Sequence, residues 1–375
     1  MDRGNGQSGG GVSGVNLPAL RGHNDALVLD LLRGAGAAGL GRGELAERTG
    51  LTPQAVSKIT ARLRAEGLVA DAGRGVSTGG KPRTLLRLVP QARYAVGVQV
   101  ERDELRAVRV DLAGGVVEEW RDRLDFVTAG PEAVVEAAVR AVVEVSGDAG
   151  AALVGVGVAA PGPLDWRTGV LGRVTGIPQW EGFRLREALA GRLSAGAVAG
   201  AVPAPMAVPL AVPVVVDKDT NAVAALPVGG GTSVYLHLGT GLGAGLRLDG
   251  EVYRGARSAA GEFGHQVLRL DGPVCRCGRR GCAEVLCLEA VARGDFAEAA
   301  RILGEGAANV VALLDVDRVL LGGRVVDARP GVFTEGVRRV LAERAGPLPG
   351  VAVVGVGVAE GAAELVLAPL FGRGR

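Results

Sequence analysis

Aromatic residues are scarce in this chain: Phe, Trp and Tyr together make up 3% of its 375 residues. Ala, Val, Leu and Gly must therefore pack its cores. Hydrophobic residues at 48% still allow two or three domains. There are only four cysteines. With no export signal in view, so few sulfurs exclude a disulfide-stapled secreted scaffold and point to a reducing cytoplasm. The opening MDRGNGQSGGGVSG lacks the apolar core of a signal peptide. No uninterrupted apolar run is long enough for a membrane helix; the nearest, 195–216, is broken by four prolines. The net charge is only +2, so the whole surface is not a polyanion binder.

The charge that is present is unevenly placed. Residues 20–90 hold eleven Lys and Arg against six Asp and Glu, a local +5. Residues 1–17 are Gly/Ser-rich and read as a disordered tail. NDALVLDLLR (24–33) has a helical apolar face, and 41–69 reads as two helices around a tight turn. Gly50 suits the stop of the first, while Thr52 and Pro53 suit the cap and first turn of the second. A Gly-rich hairpin carrying Arg74, Lys81 and Arg83 follows. Together they predict a winged helix-turn-helix over 18–90, with an ordinary helical hairpin as the plainer reading. Gln54, Ser57 and Lys58 are the candidates for base edges. Arg62, Arg64, Lys81 and Arg83 are those for phosphates or the minor groove.

Beyond Pro90, strands in a meander and crossover helices appear twice, which predicts a two-lobed α/β domain. Lobe 1 is expected over 91–217 and lobe 2 over 218–375, with the C-terminal helix free to return to lobe 1. The uncharged, Ala/Val/Pro-rich stretch 194–211 reads as a surface insertion. A helix is expected over 180–193.

Three constellations could carry chemistry. LGTGLGAG (238–245) follows an apolar strand, so its backbone N–H groups could approach an anion, or it could simply turn a hairpin. It is not a Walker A loop. DKDTN (217–221) ends another apolar strand. Asp219 could act there as a general base or merely cap the next helix. Finally His265, Cys275, Cys277 and Cys282 place four donors within 18 positions, which suits a closed tetrahedral structural Zn²⁺ site. A disulfide would strain at the C-x-C spacing. Glu262 and Glu284 flank this cluster and could bind polyol hydroxyls or be plain surface charges.

The stretch LGTGLGAGLRLDGEVYRGARSAAGEFGHQ…CRCGRRGCAE (238–284) resembles the signature of the ROK family of repressors, open reading frames and kinases. The N-terminal segment is similar to that of the family's xylose- and N-acetylglucosamine-type repressor branch. The resemblance implies an actin-like, sugar-kinase-type fold with a sugar between the lobes. It implies that His265, Cys275, Cys277 and Cys282 hold zinc, that Asp219 matches the catalytic base, and that Glu262, His265 and Glu284 hold the sugar. Gly239, Thr240 and Gly241 match a phosphate loop, and Gly322 and Gly323 an adenosine-side turn.

The departures decide between the branches. Where the kinases carry a Gly-rich Asp-x-Gly-Gly-Thr turn, this chain has QVERD (99–103). Gln99 lacks the carboxylate, and Glu101 and Asp103 would repel phosphate. Lys218 stands where the family has Asn and joins the sugar-side candidates. The expectation is a sugar-responsive, cytoplasmic DNA-binding repressor with no catalytic residue in use and Asp219 a vestige. It would sit on the nucleoid as a homodimer, or a higher homo-oligomer, on a double-stranded operator, with no membrane partner. A sugar kinase that retains a DNA-binding domain, and a ligand-independent DNA-binding protein, remain the alternatives.

Overall fold

The computed structural model describes residues 17–74, 83–147, 149–174, 177–195, 212–344, 349–355 and 357–374, with backbone only for 17–21. Lys81, residues 1–16 of the expected tail and 196–211 of the expected insertion lie outside the described residues. The chain divides into two compact units, Met1–Leu88 with Leu370–Gly372, and Val89–Pro369 with Arg373–Arg375. Among the described residues, no helix is long and apolar enough to cross a membrane.

The first unit comprises α1 (Leu17–Ala35), β1 (Leu40–Gly41), α2 (Arg42–Thr49), α3 (Pro53–Ala65), β2 (Val69–Arg74) and β3 (Thr84–Leu88). Local chemistry sets its central turn. Gly50 ends α2 in the left-handed region (φ 68°), which an L side chain would resist. Thr52 then accepts the Ala55 N–H (3.2 Å) with Pro53 opening α3. Val56, Ile59 and Leu63 from α3 pack in a small core with Val28, Leu32, Leu45 and Leu86. The strands form one antiparallel sheet in the order β1-β3-β2. Phe371, from the end of the chain, is buried in this unit with the Arg33 guanidinium 4.5 Å over its ring.

The second unit has two five-stranded sheets. Lobe 1 contains β4 (Tyr94–Val100), β5 (Leu105–Asp111), β6 (Val116–Asp122), α4 (Phe126–Ser146), β7 (Leu153–Ala160), the short β8 (Leu164–Asp165) and β9 (Val170–Leu171), α5 (Leu185–Ser194) and β10 (Val214–Lys218). Its sheet order is β10-β7-β4-β5-β6: an antiparallel β4-β5-β6 meander with β7 and β10 added in parallel. The helix expected over 180–193 starts only at Leu185. Trp180 is instead buried at the end of a 3₁₀ turn, and Gly182 (φ 80°) redirects the chain.

Lobe 2 follows with α6 (Asp219–Ala225), β11 (Ser233–Leu238), β12 (Leu242–Leu248), β13 (Glu251–Tyr253), α7 (Ala283–Ala292), α8 (Phe296–Leu314), β14 (Arg318–Gly322), α9 (Arg324–Ala328), α10 (Pro330–Arg344) and β15 (Gly350–Val353). Its sheet order is β13-β12-β11-β14-β15. The last helix, α11 (Val358–Leu367), packs on β4, β7 and α6. Each lobe has its own aliphatic core. A third core, containing Ala159, Ala222, Tyr235, Leu320, Val358 and Ala362, joins the two.

Two glycines let α11 lie directly on the lobe 1 sheet. A Cβ at Gly97 would fall 1.8 Å from the Ala359 carbonyl oxygen, and one at Gly157 1.8 Å from that of Ala362. Such overlap needs backbone movement, which costs about 1–3 kcal/mol. Gly157→Ala is therefore expected to lower the stability of the second unit by that order, read as a reduced denaturant midpoint with an unchanged slope.

Candidate functional site

The end of β10 carries the site, and a buried carboxylate fixes that end. Asp217 is 1% exposed. It accepts the Lys218 N–H (2.8 Å), the Asn221 amide (2.8 Å) and Arg254 Nε (2.7 Å). Arg254 reaches over from the end of β13 in lobe 2, with its guanidinium 4.5 Å from the Trp166 ring centroid. A buried ion pair is tolerable when hydrogen bonds satisfy it in this way. The result is a strand end held at both lobes, from which Lys218 and Asp219 project.

Lys218, Asp219, Thr240, Gly241, Glu262, His265 and Glu284 all line one cavity of about 160 Å³ between the lobes. Gly239 is the member of the Gly-loop trio that does not line it. Asp219 opens α6 and accepts the Thr220 N–H (2.6 Å). Glu284, in the first turn of α7, accepts the Leu242 N–H (3.0 Å), tying the Gly loop to the cysteine loop. Lys218 is 4% exposed; its ammonium donates to the Ala260 carbonyl and lies 3.4 Å from Glu262 Oε1. Four carboxylates, Glu101, Asp219, Glu262 and Glu284, line the cavity with the cations Lys218 and Arg102, a polar lining that suits a ligand bearing hydroxyl groups.

Beside this cavity the donor set gathers as its spacing predicts. The ligand atoms of His265, Cys275, Cys277 and Cys282 all lie within 4.8 Å of one another. Cys277 Sγ and Cys282 Sγ are 3.7 Å apart, as are Cys275 Sγ and His265 Nδ1. A disulfide needs about 2.05 Å. Two thiolates on one tetrahedral ion at about 2.3 Å stand about 3.8 Å apart, so the group fits a metal. Burial, then the adjoining Cys277 and Cys275, push the Cys282 thiol up to about 12. A cation must therefore displace that proton.

The other end of the cleft differs from a phosphate site. Arg324 opens α9 in lobe 2 and donates to both oxygens of Asp103 (3.1 and 3.0 Å) and to Glu101 (2.8 Å). Glu101 also accepts from Gln99 (3.2 Å). A Cβ built on Gly239 would lie 3.7 Å from Glu101 Oε1, so this carboxylate faces the Gly loop. Sequence alone does not reveal Arg324: it lies more than 220 positions from both partners and belongs to no motif. Arg254 and His237, which also lines the cavity, are equally silent in the sequence.

In the first unit, Gln54, Ser57 and Lys58 stand exposed on α3, as does Arg83 just before β3. Arg62 and Arg64 are instead engaged in ion pairs with Asp25 and Asp71.

Fold and site together define a two-lobed, sugar-kinase-like protein with a helical N-terminal region. Residues 202–293 match the model of the ROK family, so the chain carries a ROK family domain. It is 27% identical over 253 residues to the xylose repressor of Bacillus subtilis, an alignment covering 67% of this chain and 62% of that protein. The chain thus spans less than two thirds of the length of the first curated relatives it matches. A ROK family transcriptional regulator, a homologue of the Escherichia coli MLC protein, has the same fold. Its TM-score is 0.72 at 19% identity, over 94% of this chain and 97% of that one. A ROK family glucokinase from Streptomyces griseus, solved with glucose and AMPPNP, superposes with a TM-score of 0.59 at 24% identity, over 72% and 98%. Repressors and kinases both stand among the relatives.

Arg324's hydrogen bond and charge hold the Asp103 carboxyl below its ordinary value. A depressed carboxylate pKa makes the pairing fully effective above the ordinary value and loses it as pH falls through the lowered one. Arg324→Gln should raise the Asp103 pKa back toward 3.8 in a carboxyl-carbon NMR titration. An unmoved titration would show that the pair is not formed in solution.

Proposed function

We propose that this protein is a sugar-responsive, DNA-binding transcriptional regulator of the repressor type, acting on carbohydrate genes in the cytoplasm, and that it does not phosphorylate sugars. The observation that carries the proposal is the exposed face of α3. Val56, Ile59 and Leu63 are buried while Gln54, Ser57, Lys58, Ala61 and Ala65 share the open side. Helix α3, the turn before it and the β2–β3 hairpin are the parts of a winged helix-turn-helix. The helix would enter the major groove, with Gln54, Ser57 and Lys58 against base edges and Arg83 on the backbone. Arg62 and Arg64 would first have to leave their carboxylates, so their share in phosphate binding is the smaller. One such head binds weakly, so a homodimer on a palindromic operator is part of the proposal. Lys58→Ala should weaken binding to a selected operator fragment by about 1–3 kcal/mol without shifting the melting temperature; an unchanged gel shift would remove Lys58 from the interface.

The sugar would lie in the interlobe cavity, with Asp219, Glu262 and Glu284 accepting from its hydroxyls and His265 donating its other ring N–H to one of them. It would act on DNA binding only through unequal affinity for the two lobe arrangements. Zn²⁺ fits the four-donor group, where it would be structural because protein fills all four positions. His265 joins the two sites, since its Nδ1 faces Cys275 and its ring lines the cavity. Purified protein should carry about one zinc per chain by elemental analysis, and Cys277→Ser should lower both zinc content and melting temperature. Metal-free protein of unchanged stability would refute the assignment.

The relatives that are kinases keep a second reading in play. Asp219 and the Gly loop favour it. The Glu101 carboxylate, which faces that loop and is held by Arg324 together with Asp103, opposes it, because phosphoryl transfer depends on neutralising charge there. Sugar-dependent ADP release that Asp219→Asn abolishes would establish the kinase instead.

A further inference from the structure

Lys218 has a geometry that simple ligand contact does not explain. Its backbone belongs to β10 of lobe 1, whereas its ammonium is bound to lobe 2, at the Ala260 carbonyl and Glu262 Oε1. The side chain is 5% exposed and crosses the lining of the cavity, while Glu262 is 45% exposed. The stem fits closely, since a Cβ on Gly162 would lie 2.6 Å from Lys218 Cδ. A buried ammonium without partners is very costly, so this cation is held where those acceptors are. Glu262 is also one of the carboxylates that a polyol would use.

We infer that Lys218 is a built-in competitor for the ligand site, a specificity-determining residue that closes the cleft by pairing with Glu262. A neutral sugar must exchange a charge-assisted contact for an ordinary hydroxyl hydrogen bond before it can use Glu262. Only a sugar that satisfies the remaining acceptors, Asp219 and Glu284, well enough to offset that loss binds, and it weakens the lobe-to-lobe tether to the Ala260 contact alone. Lys218 thereby raises the ligand threshold and couples occupancy to lobe separation. Four carboxylates, Glu101, Asp219, Glu262 and Glu284, line the cavity against the cations Lys218 and Arg102, and this negative balance argues against the simpler role of Lys218 as a receptor for an anionic sugar. The inference rests on the proposed sugar site.

The test is isothermal calorimetry on the full chain with D-xylose, D-glucose and D-glucuronate, comparing wild type with Lys218→Met and Lys218→Ala. Met keeps the apolar stem and removes the charge; Ala covers the case in which Met misfolds, with folding checked by melting. Either folded variant should bind at least one neutral sugar about tenfold or more tighter than wild type. Unchanged or weaker neutral-sugar binding overturns the inference while leaving the sugar site standing. Glucuronate binding by wild type that the variants lose also overturns it, making Lys218 an anion receptor. Silence from all three proteins with every sugar contradicts both the inference and the sugar-responsive function.

Discussion

The candidate site depends on one buried contact, that of Asp217 with Arg254. The carboxylate is almost wholly out of water and is satisfied from three directions: its own strand, the first turn of α6 and the opposite lobe. Removing either partner would strand a buried charge, at a cost of about 3–5 kcal/mol. The contact fixes where β10 ends and thus where Lys218 and Asp219 point. It also holds the β13 end of lobe 2 against lobe 1. The residues it positions, Lys218 and Asp219, line the small interlobe cavity.

Charge then divides the cleft into two ends with different chemistry. At one end the buried Lys218 ammonium pairs with Glu262, with Asp219 and Glu284 lining the same cavity. At the other, Arg324 binds Glu101 and Asp103 and draws lobe 2 onto lobe 1 with the protein's own side chains. A transferring phosphate needs cations or bare backbone at that place, and the cation that stands there, Arg324, is already paired with Glu101 and Asp103. Ion pairs between the lobes thus stand at both ends of the cleft. The donor cluster of His265 and three cysteines braces the loop that leads into Glu284, which in turn holds the Leu242 N–H.

What could be read from sequence is what is local. The stop at Gly50, the Thr52 cap and the Pro53 start lie within four residues, and each follows from one residue's chemistry. The metal donors fall within 18 positions, so spacing alone suggested their meeting. The two-lobed plan followed from strand and helix patterns appearing twice. The QVERD stretch exposed the unusual phosphate end by what it lacked. The partners of those residues were hidden. Arg324 and Arg254 look like any other arginines of an arginine-rich chain, because their meaning comes from which sheet edges the topology brings together. Lys218 was visible as an odd residue, but its bond across the cleft was not. The helix expected from position 180 starts only at Leu185 because nothing local in the sequence reveals that Trp180 turns into the core.

The central claim is that this chain reads DNA and that a sugar alters the reading. The most direct measurement is selection of genomic DNA fragments bound by the purified full-length protein, repeated with a panel of sugars. The account predicts enrichment of a palindromic sequence and its loss with at least one sugar. Enrichment of no sequence, or a bound set that no sugar changes, would contradict it.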